Sequence, residues 1–235
     1  MKKNVVSETT DELHCGHCNR TFVKPGTLFK HLCEPKRRWM DKDRPANRIG
    51  FMAWSKFYQQ YQPTAKKKKE YIDFIASTYY GGFVRYGTYC AEVGVVSPLN
   101  YVDWLLKEKI SIDNWTSDRN YGRYLIEYLR LEDGMDAVKR SVESLLKLAE
   151  AENLQVGDVL RYAGKNKLCH KIVGGHISPW LLFNSEGGQY FLSSIDPGQT
   201  EMIFEYINPD LWNIKFMRDS ETVKEIQGVL KQAGI

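Results

Sequence analysis

Three cysteines and one histidine within residues 15–33 constrain this chain more than any other feature of it. The stretch reads CGHCNRTFVKPGTLFKHLC: two residues separate Cys15 from Cys18, His31 follows thirteen positions after Cys18, and Cys33 two after that. Two thiolates on one tight turn, met by a nitrogen and a third sulfur, are the donor set of a closed tetrahedral zinc site. A segment of about twenty residues has too little core to fold by itself. Ligation of a metal is what such a segment needs to hold a shape.

Two further residues fall where a site of this kind needs cover. Phe22 lies four after Cys18 and Leu28 three before His31, so an aromatic and an aliphatic side chain can pack over the metal. On Cys15, Cys18, Phe22, Leu28 and His31 the segment resembles a C2H2-type zinc finger, which implies a short β-hairpin plus a helix around Zn. The last ligand departs from that family, whose second His or Cys stands three to five residues after the first His. Here positions 34–37 are Glu, Pro, Lys and Arg, and Cys33 is the natural substitute. Residues two apart on a helix point about 200° from each other. Cys33 therefore reaches the metal only if the helix ends near Leu32, and Pro35 favours that ending by disfavouring helical geometry at Glu34. His14 and His17 are the alternative fourth ligands.

Scattered free thiols are the simpler explanation of such a stretch, but thiols this dense beside a well-placed aromatic speak for a site. A Cys15–Cys18 disulfide is not expected, because nothing points to export. MKKNVVSETTDE has two lysines and no apolar run, so no secretory leader is expected. No stretch approaches eighteen apolar residues, so no membrane partner is expected either. Five cysteines, three of them in the finger, suit a reducing cytoplasm.

Charge is divided unevenly along the 235 residues. Residues 1–70 hold 16 Lys and Arg against 7 Asp and Glu, while the remainder holds 17 against 22. The basic character thus belongs to the finger and the segment immediately after it. Lys24 and Lys30 lie in the finger; EPKRRWMDKDRPANR adds Lys36, Arg37, Arg38, Lys42, Arg44 and Arg48, with Trp39 able to stack. A cation cluster of this kind resembles the electrostatic footprint of a nucleic-acid-binding surface. The competing explanation is a solvated connector. A second run, Lys66 to Lys69, reads as a solvated loop or helix start.

From Asn47 onward the pattern is helical. IGFMAWSKFYQQY places Ile49, Met52, Ala53, Phe57 and Tyr61 near one face, and Phe51, Trp54 and Tyr58 widen it. Pro63 ends that helix; Gly81-Gly82 is expected to break the next apolar stretch, and Gly94 to stop it. Ser97-Pro98, Ser117, Asp133, Ser178-Pro179, Asp196-Pro197 and Asn208-Pro209 announce later helices by their caps. In the helix after Asp133, Ala137, Val138, Val142, Leu145, Leu146 and Ala149 form an apolar stripe. No run alternates as a strand would. The expected fold class is mainly α, with an N-terminal zinc finger followed by a multi-helix globular domain. The expected division is finger and basic extension over 1–40, a helical domain over 41–160 and a C-terminal helical subdomain over 161–235.

The helical part matches no domain by its motifs. Its overall pattern loosely resembles uncharacterised proteins of large tailed bacteriophages that pair an N-terminal finger with helices, which implies a phage origin and the host cytoplasm. Candidate chemistry is sparse. Asp103, Asp113, Asp118, Glu127, Glu132 and Asp136 could include the metal-binding carboxylates of a nuclease, though each reads more simply as a cap or a solvated residue. Cys169, His170 and His176 are near in sequence but form no triad, and no phosphate loop, GxSxG or HExxH occurs. The expected function is a zinc-containing nucleic-acid-binding protein in a larger nucleoprotein complex, with DNA favoured over RNA. The alternative is a protein–protein adaptor with a structural finger; a metal-dependent nuclease comes third.

Overall fold

The computed structural model describes residues 13–62 and 69–235. Over these the protein is mainly helical, with a single two-stranded antiparallel hairpin near the N-terminus followed by multi-helix packing. It separates into two compact units, Met1–Thr88 and Tyr89–Ile235. The opening twelve residues, Pro63 and most of the 66–69 lysine run lie outside the described residues.

In the first unit β1 (Leu13–His14) pairs with β2 (Thr21–Phe22), Leu13 standing opposite Phe22. Helices α1 (Pro25–Lys30), α2 (Glu34–Met40), α3 (Pro45–Tyr61), α4 (Tyr71–Ala76) and α5 (Tyr80–Val93) come next along the chain, the last of them running past Thr88 into the second unit. Glu70 and Asp73 form a reciprocal capping box that starts α4. The expected break at Gly81-Gly82 is displaced: both glycines sit in the first turn of α5, and the chain bends instead at residues 77–79, where Ser77 Oγ accepts from the Tyr79 amide at 3.1 Å. A helix's first amides lack intrahelical partners in any case, so two glycines are tolerated there.

The face of α3 also differs from its apolar pattern. Asn47, Gly50, Ala53 and Trp54 are its buried residues, while Met52 is 44% and Tyr61 61% exposed. Backbone contact decides this. A Cβ on Gly50 would stand 2.7 Å from the carbonyl oxygen of Phe83, and one on Gly87 would overlap the carbonyl of Ala46. Helices α3 and α5 meet where neither has a side chain, and that meeting sets the rotation of α3. Trp54, Phe74, Phe83 and Tyr86 fill the space around it.

The second unit contains α6 (Pro98–Lys107), α7 (Asp118–Leu131), α8 (Gly134–Glu152), α9 (Val159–Tyr162), α10 (Lys165–Val173), α11 (Pro179–Asn184), α12 (Glu186–Ser194), α13 (Pro197–Ile207), α14 (Pro209–Arg218) and α15 (Ser220–Gln232). Asp133, Ser178, Asp196 and Asn208 all accept amide hydrogen bonds as caps. Ser97 and Ser117 precede helices without a side-chain cap bond. Of the α8 stripe, Ala137, Val138, Leu145 and Ala149 are buried, but Leu146 is 52% exposed and Ser141 takes a core position. Ser141 is there because its hydroxyl donates to Ala137 O and accepts from the Ser178 amide at 2.8 Å, tying α8 to the start of α11.

Beside it lies a buried ion pair. Arg140 donates to both oxygens of Glu132, at 2.6 and 2.9 Å, and through Nε to Gly175 O, while the Ser178 hydroxyl donates to Glu132 Oε1. Burial nevertheless pushes the Glu132 carboxyl above its ordinary value, against the pull of Arg140. Tyr101, Tyr121 and Tyr124 are core. Tyr121 donates to Gly174 O and accepts from the Val96 amide, and Tyr124 donates to Val96 O. Gly94 ends α5 at φ +72, where a Cβ would meet His176 at 2.8 Å.

Candidate metal centre

The hairpin and α1 bring the four expected ligands together. One donor atom each from Cys15, Cys18, His31 and Cys33 lies within 4.8 Å of every other. Cys15 Sγ and Cys33 Sγ are 3.9 Å apart, and Cys18 Sγ and His31 Nε2 3.2 Å. Ligands around a tetrahedral Zn²⁺ with Zn–S of ~2.3 Å and Zn–N of ~2.0 Å stand roughly 3.5–3.8 Å from each other. Three sulfurs and one imidazole nitrogen this close together could hold a metal ion.

Local structure explains the convergence. The Cys15 amide donates to Arg20 O at 3.0 Å and the Asn19 amide to Cys15 O at 2.9 Å, closing the turn that carries Cys15 and Cys18. Asn19 sits at φ +56, a left-handed conformation that asparagine tolerates better than most residues. Helix α1 stops at Lys30; His31 (ψ 120) and Cys33 (ψ 163) are both extended. Alternating side chains along extended backbone put residues i and i+2 on one side, which is how a two-residue spacing serves two ligands. Pro35 acts differently from its expected role. Glu34 is the first residue of α2 and Pro35 lies in its first turn, so the proline opens a new helix where it was expected to keep Glu34 out of one.

The hydrogen bond from the His17 amide holds the Cys15 thiol below its ordinary value. The Arg20 amide pulls Cys18 the same way, but burial and the neighbouring sulfurs of Cys33 and Cys15 leave it raised. Phe22 is buried with its ring 4.7 Å from that of His31. His14 and His17 stand outside the ligand group. His17 packs on Trp39, with ring centroids 5.9 Å apart, and its Nδ1 is buried without a hydrogen-bond partner among the described residues.

The basic cluster divides into two sets. Lys36 donates to His31 O at 3.1 Å. Arg38 donates to Ile75 O at 2.7 Å, pairs with Glu34 and lies 4.3 Å from the Tyr80 ring centroid. Lys42 covers Trp39, whose ring also packs on Tyr71, and Arg44 pairs with Asp41 at 3.0 Å. Lys24, Lys30, Arg37 and Arg48 are exposed. Sequence reasoning missed the apolar surface beside them: Val23 is 91%, Phe29 86% and Leu32 52% exposed.

The candidate carboxylates do not assemble as metal ligands. Asp118 accepts from Tyr89 at 3.0 Å, and Asp113 lies in a short 3-10 turn at residues 112–114. Asp103, Glu127, Glu132 and Asp136 line one cavity, yet Cys15, Cys18, His31 and Cys33 are the only group of three or more metal-type donors among the described residues. No helix there is long and apolar enough to cross a membrane. No protein-family model, curated protein or solved structure matches the chain, so the resemblance to tailed-phage proteins gains nothing from these comparisons.

Proposed function

We propose that residues 13–33 hold one structural Zn²⁺ and that the protein binds nucleic acid through the exposed cations around that site. The observation that carries this reading is the Cys15, Cys18, His31 and Cys33 cluster with Lys24, Lys30 and Arg37 exposed on or beside it. Softer thiolate donors favour zinc over the oxygen-seeking divalent ions. The ion's place is structural, since all four positions are filled by protein. Lys24, Lys30, Arg37 and Arg48 would neutralise phosphates; Lys36 and Arg38 serve the fold. Phosphate contacts give affinity without sequence choice, and one finger reads only about three base pairs. The protein therefore acts beside partners in a larger nucleoprotein complex, with duplex DNA as the first substrate to test.

The experiment is zinc analysis of the purified chain, then binding to duplex DNA, single-stranded DNA and RNA across a salt series. One zinc per chain is expected. Charge reversal of Lys24, Lys30 and Arg37 should lower the slope of log K against log salt by about 0.9 for each duplex phosphate no longer neutralised. Absence of binding at low salt defeats the nucleic-acid reading and leaves the adaptor. The adaptor reading has its own support in Val23 and Phe29, whose exposure suits a protein partner. In that case Phe29→Ser would abolish partner capture while charge reversal left it intact.

A further inference from the structure

Helix α14 buries only Trp212, although Leu211, Ile214, Phe216 and Met217 are apolar too. Trp212 and Phe216, about one turn apart, pack inward on Trp180, with ring centroids 6.3 and 5.0 Å from it. That orientation turns the others out: Leu211 is 41%, Ile214 49% and Met217 79% exposed. A surface helix ordinarily points its apolar stripe at the core and keeps polar residues outside. Here a second apolar stripe is left in solvent, which marks a surface that meets a partner.

The same face is basic. Residues three and four apart are neighbours on a helix surface, so Arg218 stands beside Ile214, and Ile214 beside Leu211. These three and Lys215 line a groove of about 350 Å³ that is also lined by Arg130, in the last turn of α7. The groove's one carboxylate, Asp219, accepts from Lys215 at 3.2 Å. Arg130 and Arg218 are exposed and have no ion pair among the described residues. A cation in a last helical turn suits the helix dipole. That accounts for the two charges but not for the bare apolar residues beside them.

We propose that this groove docks an acidic, amphipathic peptide segment of a partner protein. Carboxylates of the segment pair with Arg130 and Arg218, and an aliphatic or aromatic side chain between those carboxylates covers Leu211 and Ile214. Charge and apolar surface together select that occupant. A second copy docked face to face would set these arginines against their own counterparts. A phosphate backbone would satisfy the arginines but leave the apolar stripe bare. An anionic bilayer is flat, and the groove is recessed. No residue of the finger lines it, so docking here depends on neither the zinc nor the nucleic-acid reading.

The test is fluorescence anisotropy of the N-terminally labelled peptide EDLFEELED against the full zinc-loaded chain. Beside it run QNLFQQLQN, which lacks the carboxylates, and EDAAEEAED, which lacks the apolar anchors. EDLFEELED should saturate, and each analogue should bind roughly tenfold more weakly. Arg130→Glu with Arg218→Glu should cost EDLFEELED roughly tenfold in affinity and confer binding of the basic peptide KKLFKKLKK. The helical circular dichroism should not change, since both arginines are exposed. Leu211→Ser with Ile214→Ser should weaken EDLFEELED and leave EDAAEEAED as weak as before. No saturation at hundreds of micromolar protein overturns the proposal. So does equal binding of EDAAEEAED, indifference to the arginine variant, or displacement of the peptide by duplex DNA or by phosphatidylglycerol vesicles.

Discussion

Residues 13–33 and the second unit solve the same problem by opposite means. Helix α1 has no buried residue, and its own Phe29 and the nearby Val23 are almost bare. On the proposed reading, what defines its shape is one ion held by four donor atoms, with one tight turn. The second unit instead packs Leu105, Leu125, Leu145, Leu168, Leu181 and Phe191 to complete or near-complete burial, and its charged interior is confined to the Glu132–Arg140 pair. The two regions therefore fail differently. A region held by ligands is lost at one step when a ligand goes; a region held by packing is worn down one contact at a time.

The largest effect should come from the ligands. Cys15→Ser with Cys18→Ser removes two of four donors from a site of a kind worth about 10–16 kcal/mol in apparent zinc-binding free energy. Bound zinc should vanish and amide protection over residues 13–33 should collapse, while most far-ultraviolet helical signal stays. Retention of one zinc per chain would show that ligands do not hold the finger.

Next comes the buried ion pair. Arg140→Met strands the Glu132 carboxylate and should cost about 3–5 kcal/mol in denaturant unfolding. Adding Glu132→Met should restore most of it, because the penalty belongs to the orphaned charge. A single-variant cost below about 1 kcal/mol would show that solvent reaches Glu132 more freely than its burial implies.

Gly87→Ala then locates the border between the two modes inside the first unit. Alanine should gain about 1 kcal/mol in helix propensity, but its methyl would overlap the Ala46 carbonyl, and overpacking costs of about 1–3 kcal/mol decide the sign. Net destabilisation is expected, and chelation of zinc should leave it unchanged. A penalty that disappears with the metal would place the α3–α5 contact under the finger's control.

The smallest effect concerns pH. Burial, aided by Lys171, lowers the His176 pKa. Below the ordinary value of about 6.5 the unfolded chain therefore binds more protons than the folded one, so stability falls as pH drops from there to the lowered folded value and then levels. His176→Gln should flatten that part of the pH–stability curve. An unaltered slope would assign it to other groups.

These regions also differ in how much their sequence reveals. Cys15, Cys18, His31 and Cys33 are legible because coordination imposes residue type and spacing together. The caps at Ser178, Asp196 and Asn208 are legible because each precedes a proline at the first helical turn. The buried face of α3 is not, since it depends on Gly87 meeting Ala46, a contact between bare backbones that leaves no apolar signal. Lys36 and Arg38 look like their exposed neighbours because their partners, His31 O and Ile75 O, are main-chain atoms with no side-chain signature. The carboxylates at Asp103, Glu127 and Asp136 come from three helices, and only folding shows that they line one cavity.

Cys33 has one further property. It contributes its sulfur to the ligand cluster and its carbonyl to the Arg37 amide, as the residue that starts α2. Arg38, one position on, is hooked to Ile75 and Tyr80. A finger on a slack tether can come undone without its neighbour noticing. This one has no tether, so release of the ion would be felt as torque on the first turn of α2. Hydrogen exchange there would register the event as faithfully as any metal assay.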